Sequence, residues 1–173
     1  IPANAILRYK YGMAVEEQSA GQRNKEPYNR FISMNFMICR DAFLKVRFDE
    51  TFHLGYEDTL FGMQLEQAGV EILHIDNPVY HLVEENSEQF LMKIRRAVRN
   101  LDGHIEQMHS HVKLLRWYAC VKRLGMAPLV AFLFRQIEKR LVSNLTSRKP
   151  SLKLFAFYKL GYLCNFLSQK KPD

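Results

Sequence analysis

The sequence predicts an α+β chain in two parts: a mixed region with a few short strands over residues 1–109, and a mainly helical tail over 110–173. Three observations lead there. Ile32, Met34, Phe36 and Ile38 alternate with Ser33, Asn35, Met37 and Cys39, the period of a strand. Phe61, Leu65 and Ala68 fall at i, i+4 and i+7, the spacing of one helix face. The last third of the chain repeats such helical faces, with a break at Lys149-Pro150-Ser151. With 173 residues and 47% hydrophobic content the chain can bury one sizeable core, which fits a single domain with an appended element.

Taken in order, Ile6 to Val15 reads as a short helix, and Gln18 to Tyr28, with Gly21, Asn24 and Pro27, as a polar loop. The alternating strand follows, with Ser33 and Asn35 pointing together. The helix from about 58 to 68 has Asp58 and Thr59 as N-cap types and Gly69 as the residue past its end. Val70 to Asp76 reads as a second strand, stopped by Asn77-Pro78. A long helix from Ser87 to about Met108 carries Phe90, Ile94, Val98, Leu101 and Ile105 on one side, with Ser87 as its cap. In the tail, Pro128 opens a helix whose apolar face is Val130, Leu133, Phe134, Ile137 and Leu141, and a last helix runs from about Leu152 to Leu167.

Charge divides the chain at the same place. Residues 1–109 hold 12 Lys and Arg against 16 Asp and Glu, a net of −4; residues 110–173 hold 13 against 2, a net of +11. The overall +7 thus belongs to the tail. Its longest apolar run, Gly125 to Phe134, falls far short of the ~20 residues that span a bilayer. The aromatic and cationic mixture of the tail suits lying on an anionic membrane surface through its charges, with insertion of Phe155, Phe157 and Phe166 as the alternative to an electrostatic hold. The other reading of the same faces is that they pack on one another, or pair two chains as a homodimer.

The chemistry concentrates at Gly55-Tyr56-Glu57-Asp58, where two adjacent carboxylates stand at a loop-to-helix junction. A carboxylate at a helix start accepts backbone N–H bonds and faces the positive end of the helix dipole, a suitable setting for a group held ready to take a proton. The motif has ordered company. Upstream stand Ser33, Asn35-Phe36, Arg40 and Phe48-Asp49-Glu50; downstream stand Ile75-Asp76-Asn77-Pro78-Val79-Tyr80-His81. This order, over roughly residues 7–101, resembles the acceptor half of an inverting, family 2 glycosyltransferase of the GT-A fold. The resemblance implies a C-terminal portion of that nucleotide-diphospho-sugar transferase fold. It implies Asp58 as the base that deprotonates the acceptor hydroxyl; Glu57, Tyr56, Ser33 and Asn35 as acceptor-binding groups; and His81 as a metal ligand. A nucleotide-sugar donor, a glycan or lipid-linked acceptor and a divalent cation, Mn²⁺ or Mg²⁺, come with it.

The donor side of that machinery is missing from the sequence. No Asp-x-Asp occurs in it, and its glycines, at 12, 21, 55, 62, 69, 103, 125 and 161, are isolated, so no phosphate loop replaces that motif. Together with a start at Ile1, this gives the expectation of a fragment of a longer enzyme, inactive alone, working in polysaccharide or glycolipid assembly. His104, His109 and His111 do not make zinc spacing: only 104 and 111 share a helical face, and no Cys or carboxylate stands at the right interval. Cys39, Cys120 and Cys164 are odd in number and far apart, pointing to a reducing compartment. The expected location is cytoplasmic, peripheral on the inner face of the plasma membrane. The basic tail has no nucleic-acid signature, so the alternative function is a non-enzymatic helical adaptor for a membrane or an acidic partner.

Overall fold

The computed structural model describes residues 2, 4–50, 52, 55–82 and 84–170. Helix takes 62% of the described residues, and none of them belongs to a β-strand. The α+β expectation, with its GT-A strands, is therefore corrected: the described chain is helical with irregular connections.

Helix α1 (Ile6–Tyr11) runs into a π-helical turn at Gly12–Glu16. The expected polar loop contains α2 (Ala20–Arg23), started by a capping box between Ser19 and Gln22, and a 3₁₀ turn at Tyr28–Arg30. Then come α3 (Arg40–Lys45), α4 (Glu57–Gln67), α5 (Ser87–Asn100), α6 (Ile105–Met108), α7 (Lys113–Arg123), α8 (Ala127–Leu145) and α9 (Leu152–Gln169). The expected single helix from 87 to 108 is two, parted at Gly103, whose φ of 84° ends the first. Its cap is Asn86 rather than Ser87: Asn86 Oδ1 accepts from Gln89 N, and the Gln89 side chain returns the bond to Asn86 N.

Both expected strands fail for lack of a neighbour. Ser33 to Asn35 forms a turn, as small polar residues favour, and that turn breaks the alternation before a ladder can form. In the second segment the polar loop takes the neighbour's place. The Asn24 amide donates to the His74 carbonyl at 2.7 Å and accepts from the His74 N–H at 2.8 Å, while Arg23 Nη2 donates to the Ile75 carbonyl at 3.1 Å. Side chains thus satisfy backbone groups that a strand would have offered to a sheet.

Two hydrophobic clusters organise the molecule. The larger joins α1, α5, α7, α8 and α9 around Leu7, Phe90, Val98, Leu115, Phe134, Tyr158 and Leu163. The smaller gathers Phe31, Val46, Phe61 and Leu65, with Phe43, Phe48, Val70 and Ile72 against them. Helix α4 serves both, giving Leu60 and Met63 to the first and Phe61 and Leu65 to the second. It ends as its sequence requires: Gly69, at φ 67°, lets Val70 N reach Leu65 O and Gly69 N reach Glu66 O, both at 3.0 Å.

The larger cluster is held by close backbone approach and by cations on aromatic rings. A Cβ on Gly161 would lie 2.6 Å from Phe134 Cδ2, so the antiparallel hairpin of α8 and α9 closes only with glycine there. Helix α5 lies parallel to α9. Arg95 Nε donates to the Tyr158 hydroxyl at 2.5 Å and Arg99 Nε to that of Tyr162 at 2.6 Å, two bonds with the same 63-residue separation. Arg95 also pairs with Glu138 on α8 at 2.5 Å.

Candidate functional site

The Gly55–Asp58 turn is built differently from the expectation, and more tightly. Asp58 and Thr59 do not cap α4. Tyr56 is its N-cap residue, with a left-handed φ of 70°, and Glu57 and Asp58 occupy the first turn. Tyr56 is the one non-glycine residue at positive φ among the described residues, and such a residue is strained by about 1–2 kcal/mol. Gly55 before it has φ 78°, and a Cβ there would fall 2.3 Å from the Ala97 Cβ on α5. The turn is thus pinned against the large cluster by a position only glycine can fill.

That arrangement leaves two acidic groups short of partners. No side chain caps α4. Glu57 Oε2 and Asp58 Oδ1 are both buried with no hydrogen-bond partner among the described residues. Burying an acceptor without a donor costs about 1–3 kcal/mol, and native proteins keep few such groups. Two on consecutive residues at a helix start, beside a strained residue, mark a place organised for something other than stability.

Behind the turn lies a polar cluster that sequence reasoning missed. Arg8 is only 7% exposed; its Nη2 pairs with Glu16 Oε2 at 2.9 Å and lies 3.4 Å from His81 Nδ1, and its guanidinium stacks over the Phe90 ring at 5.4 Å. Gly12 makes room for it, because a Cβ there would come within 3.0 Å of Arg8 Nη1. Burial raises the Tyr56 hydroxyl well above its ordinary pKa, with the Tyr11 hydroxyl adding to the effect. Tyr11 is raised too, by burial first and then by Glu16, with Arg8 opposing. Both phenols therefore stay neutral donors. Nothing local signals this cluster, since Arg8 and His81 stand 73 residues apart; the one trace in the sequence is an isolated glycine four residues after an arginine.

Other expected site residues are placed as follows. Asn35 is exposed and donates to the Asn77 carbonyl at 3.2 Å; Ser33 is half-buried in the turn before it. Phe31 and Phe36 anchor this segment on α4 by packing against Phe61, at 5.3 and 6.5 Å between ring centres. His81 is exposed and lies against a guanidinium. No three His, Cys, Asp or Glu side chains gather at cation-binding distance among the described residues. A divalent cation wants several oxygen ligands, and a lone imidazole beside a positive charge does not fit that need. The three thiols are free, Cys39 exposed and Cys164 buried. Compared with known proteins, the chain matches no family model, no curated protein and no solved structure.

Proposed function

We propose that this chain supplies the acceptor side of an inverting glycosyltransferase, with Asp58 as the base. The observation that carries the reading is the Gly55–Asp58 turn: strained at Tyr56, fixed by Gly55 against Ala97, and presenting buried carboxylate oxygens without partners at a helix start. Asp58 Oδ1 is closed to solvent, so the proposed acceptor hydroxyl reaches it as the turn moves, and on arrival satisfies an oxygen that the fold leaves unsatisfied. In the proposed step the acceptor O–H gives its proton to the Asp58 carboxylate as its oxygen bonds to the anomeric carbon. The bond from that carbon to the donor phosphate breaks, and the nucleoside diphosphate leaves with the electron pair. Glu57 and the segment of Ser33 and Asn35 are the proposed acceptor-orienting groups; Tyr56, whose hydroxyl is buried beside Tyr11, holds the turn instead. No step runs through His81 or a cation, because the residues described here do not form a cation site.

The test is made in the polypeptide that carries this sequence. Asp58→Asn is expected to lower sugar transfer by at least ~10²-fold while nucleotide-sugar binding is kept, since a lost proton acceptor acts on the chemical step. Glu57→Gln is expected to raise the KM for the acceptor. Transfer at the normal rate by Asp58→Asn contradicts the assignment.

A further inference from the structure

The whole basic tail, residues 110–173, is the expected membrane-binding part, yet much of its last helix is turned into the core. Phe155, Tyr158, Tyr162 and Leu163 lie in the large core. The exposed apolar surface of the tail is elsewhere, at the corner between α7 and α8. These helices meet at 115°, and Gly125 at φ 68° makes the corner: Met126 N bonds back to Val121 O and Gly125 N to Lys122 O, both at 3.0 Å. Around it Trp117, Leu124, Met126, Leu129, Phe132 and Leu133 are each between 44% and 62% exposed. Trp117 lies on α7 and Leu124 caps its end, seven residues on; Leu129, Phe132 and Leu133, at i, i+3 and i+4, share a face of α8.

The charges around this corner are of a single sign. Between Glu106 and Glu138 there is no acidic residue, while Lys113, Arg116, Lys122, Arg123 and Arg135 are all present and exposed. None of these five forms an ion pair among the described residues, and Glu138 is taken by Arg95. We infer that the α7–α8 corner docks on an anionic lipid surface, its leucines and Phe132 entering the headgroup boundary while Lys122 and Arg123 meet lipid phosphates. A second copy of the chain is disfavoured as occupant, because two such corners face to face would set Lys122 and Arg123 of one copy against those of the other. A purely polyanionic partner would leave the apolar side chains unused. No single helix among the described residues is long and apolar enough to cross a membrane; α7 and α8 taken together, bent by 115°, have the length and composition of a broken span, and the exposed cations Arg116, Lys122 and Arg123 favour a place at the surface instead.

The inference does not depend on the transferase reading. Trp117 is the chain's one tryptophan, so its emission reports on this surface alone. The full chain is mixed with phosphatidylcholine vesicles with and without phosphatidylglycerol. Co-sedimentation and a blue shift of Trp117 are expected with the anionic vesicles only, both reversed as salt rises toward ~0.5 M. Lys122→Ala and Arg123→Ala should each weaken partitioning about fivefold. Leu129→Ser with Phe132→Ser should abolish the blue shift while leaving the far-UV dichroism unchanged, as both side chains are exposed. Equal binding to neutral vesicles, binding unaffected by salt, or no binding overturns the inference. A salt-resistant dimer that shields Trp117 overturns it in favour of a second copy.

Discussion

The two halves of the molecule reach order by different means. From Ser87 onward, helices carry their own backbone hydrogen bonds and bury continuous apolar faces, so the large cluster is fixed mainly by side-chain packing across α5, α8 and α9. Before Ser87, every helix but α4 has six residues or fewer, the small cluster centres on Phe31, Phe43, Phe48 and Phe61, and irregular segments are tied down one side chain at a time, as by Asn24 on His74. The difference shows where rigidity resides. The candidate site lies at the seam, on α4, which both clusters share: the packed half supplies the wall at Ala97, and the irregular half supplies the strained turn. A site at such a seam works best when the packed half stays firm while the irregular half adapts.

The widest gap between the halves should appear in core truncations. Phe134→Ala, at a fully buried ring against Tyr158 and Tyr162, is expected to cost about 3–5 kcal/mol and to unfold the helical half as a unit, read from the denaturant midpoint. Gly55→Ala comes next. It combines a left-handed φ with an overlap on Ala97, each worth about 1–3 kcal/mol, and Ala97→Gly in the same chain should recover the overlap but not the φ strain. Full recovery would show that φ 78° carries no strain at this turn. Asn24→Ala should cost about 1–2 kcal/mol, and locally: amide exchange should speed up near His74 with α8 and α9 unaffected. Exchange rising through α9 as well would mean the halves are one cooperative unit.

A smaller, pH-dependent difference belongs to the helical half. Burial lowers Lys159 to about 8, with Lys113 contributing, while its ammonium lies over the Tyr11 and Phe155 rings. Burial raises the Cys164 thiol to about 11. Between about 8 and its ordinary 10.5, Lys159 binds fewer protons folded than unfolded, so its contribution to stability grows as pH rises through that window. Cys164 acts oppositely, its contribution present below pH 9 and lost as pH rises through about 11. Lys159→Met should flatten stability between about pH 8 and 9, read from thermal midpoints across pH. An unchanged slope would place the ammonium in water.

Sequence reading succeeded where a few neighbouring residues settle the outcome. Pro128 near the start of α8 and Gly69 closing α4 are local signals, and α4, α8 and α9 stand within a few residues of their expected places. Of the apolar face expected for α8, Phe134 and Leu141 are buried and Val130 and Ile137 half-buried, while Leu133 turns outward. The strands failed because alternation proposes only a surface, and a strand needs a partner that the described chain does not provide. Tyr56 as a left-handed cap was not legible, because nothing in Gly-Tyr-Glu-Asp says that Gly55 meets Ala97, 42 residues on. The Arg8, Glu16 and His81 cluster is likewise a product of tertiary placement. The buried state of α9 was legible in principle: a helix apolar on most of its sides is a core helix, and aromatic richness masked that pattern.

We propose that Asp58 is kept for chemistry at the expense of stability, which Asp58→Asn tests when transfer and the unfolding midpoint are measured on the same protein. Transfer is expected to fall by at least ~10²-fold while the midpoint stays or rises, because the variant removes a buried carboxylate whose oxygen has no partner among the described residues. A midpoint lowered by the equivalent of more than ~1 kcal/mol, with transfer intact, would contradict it and make Asp58 a structural group of the α4 start.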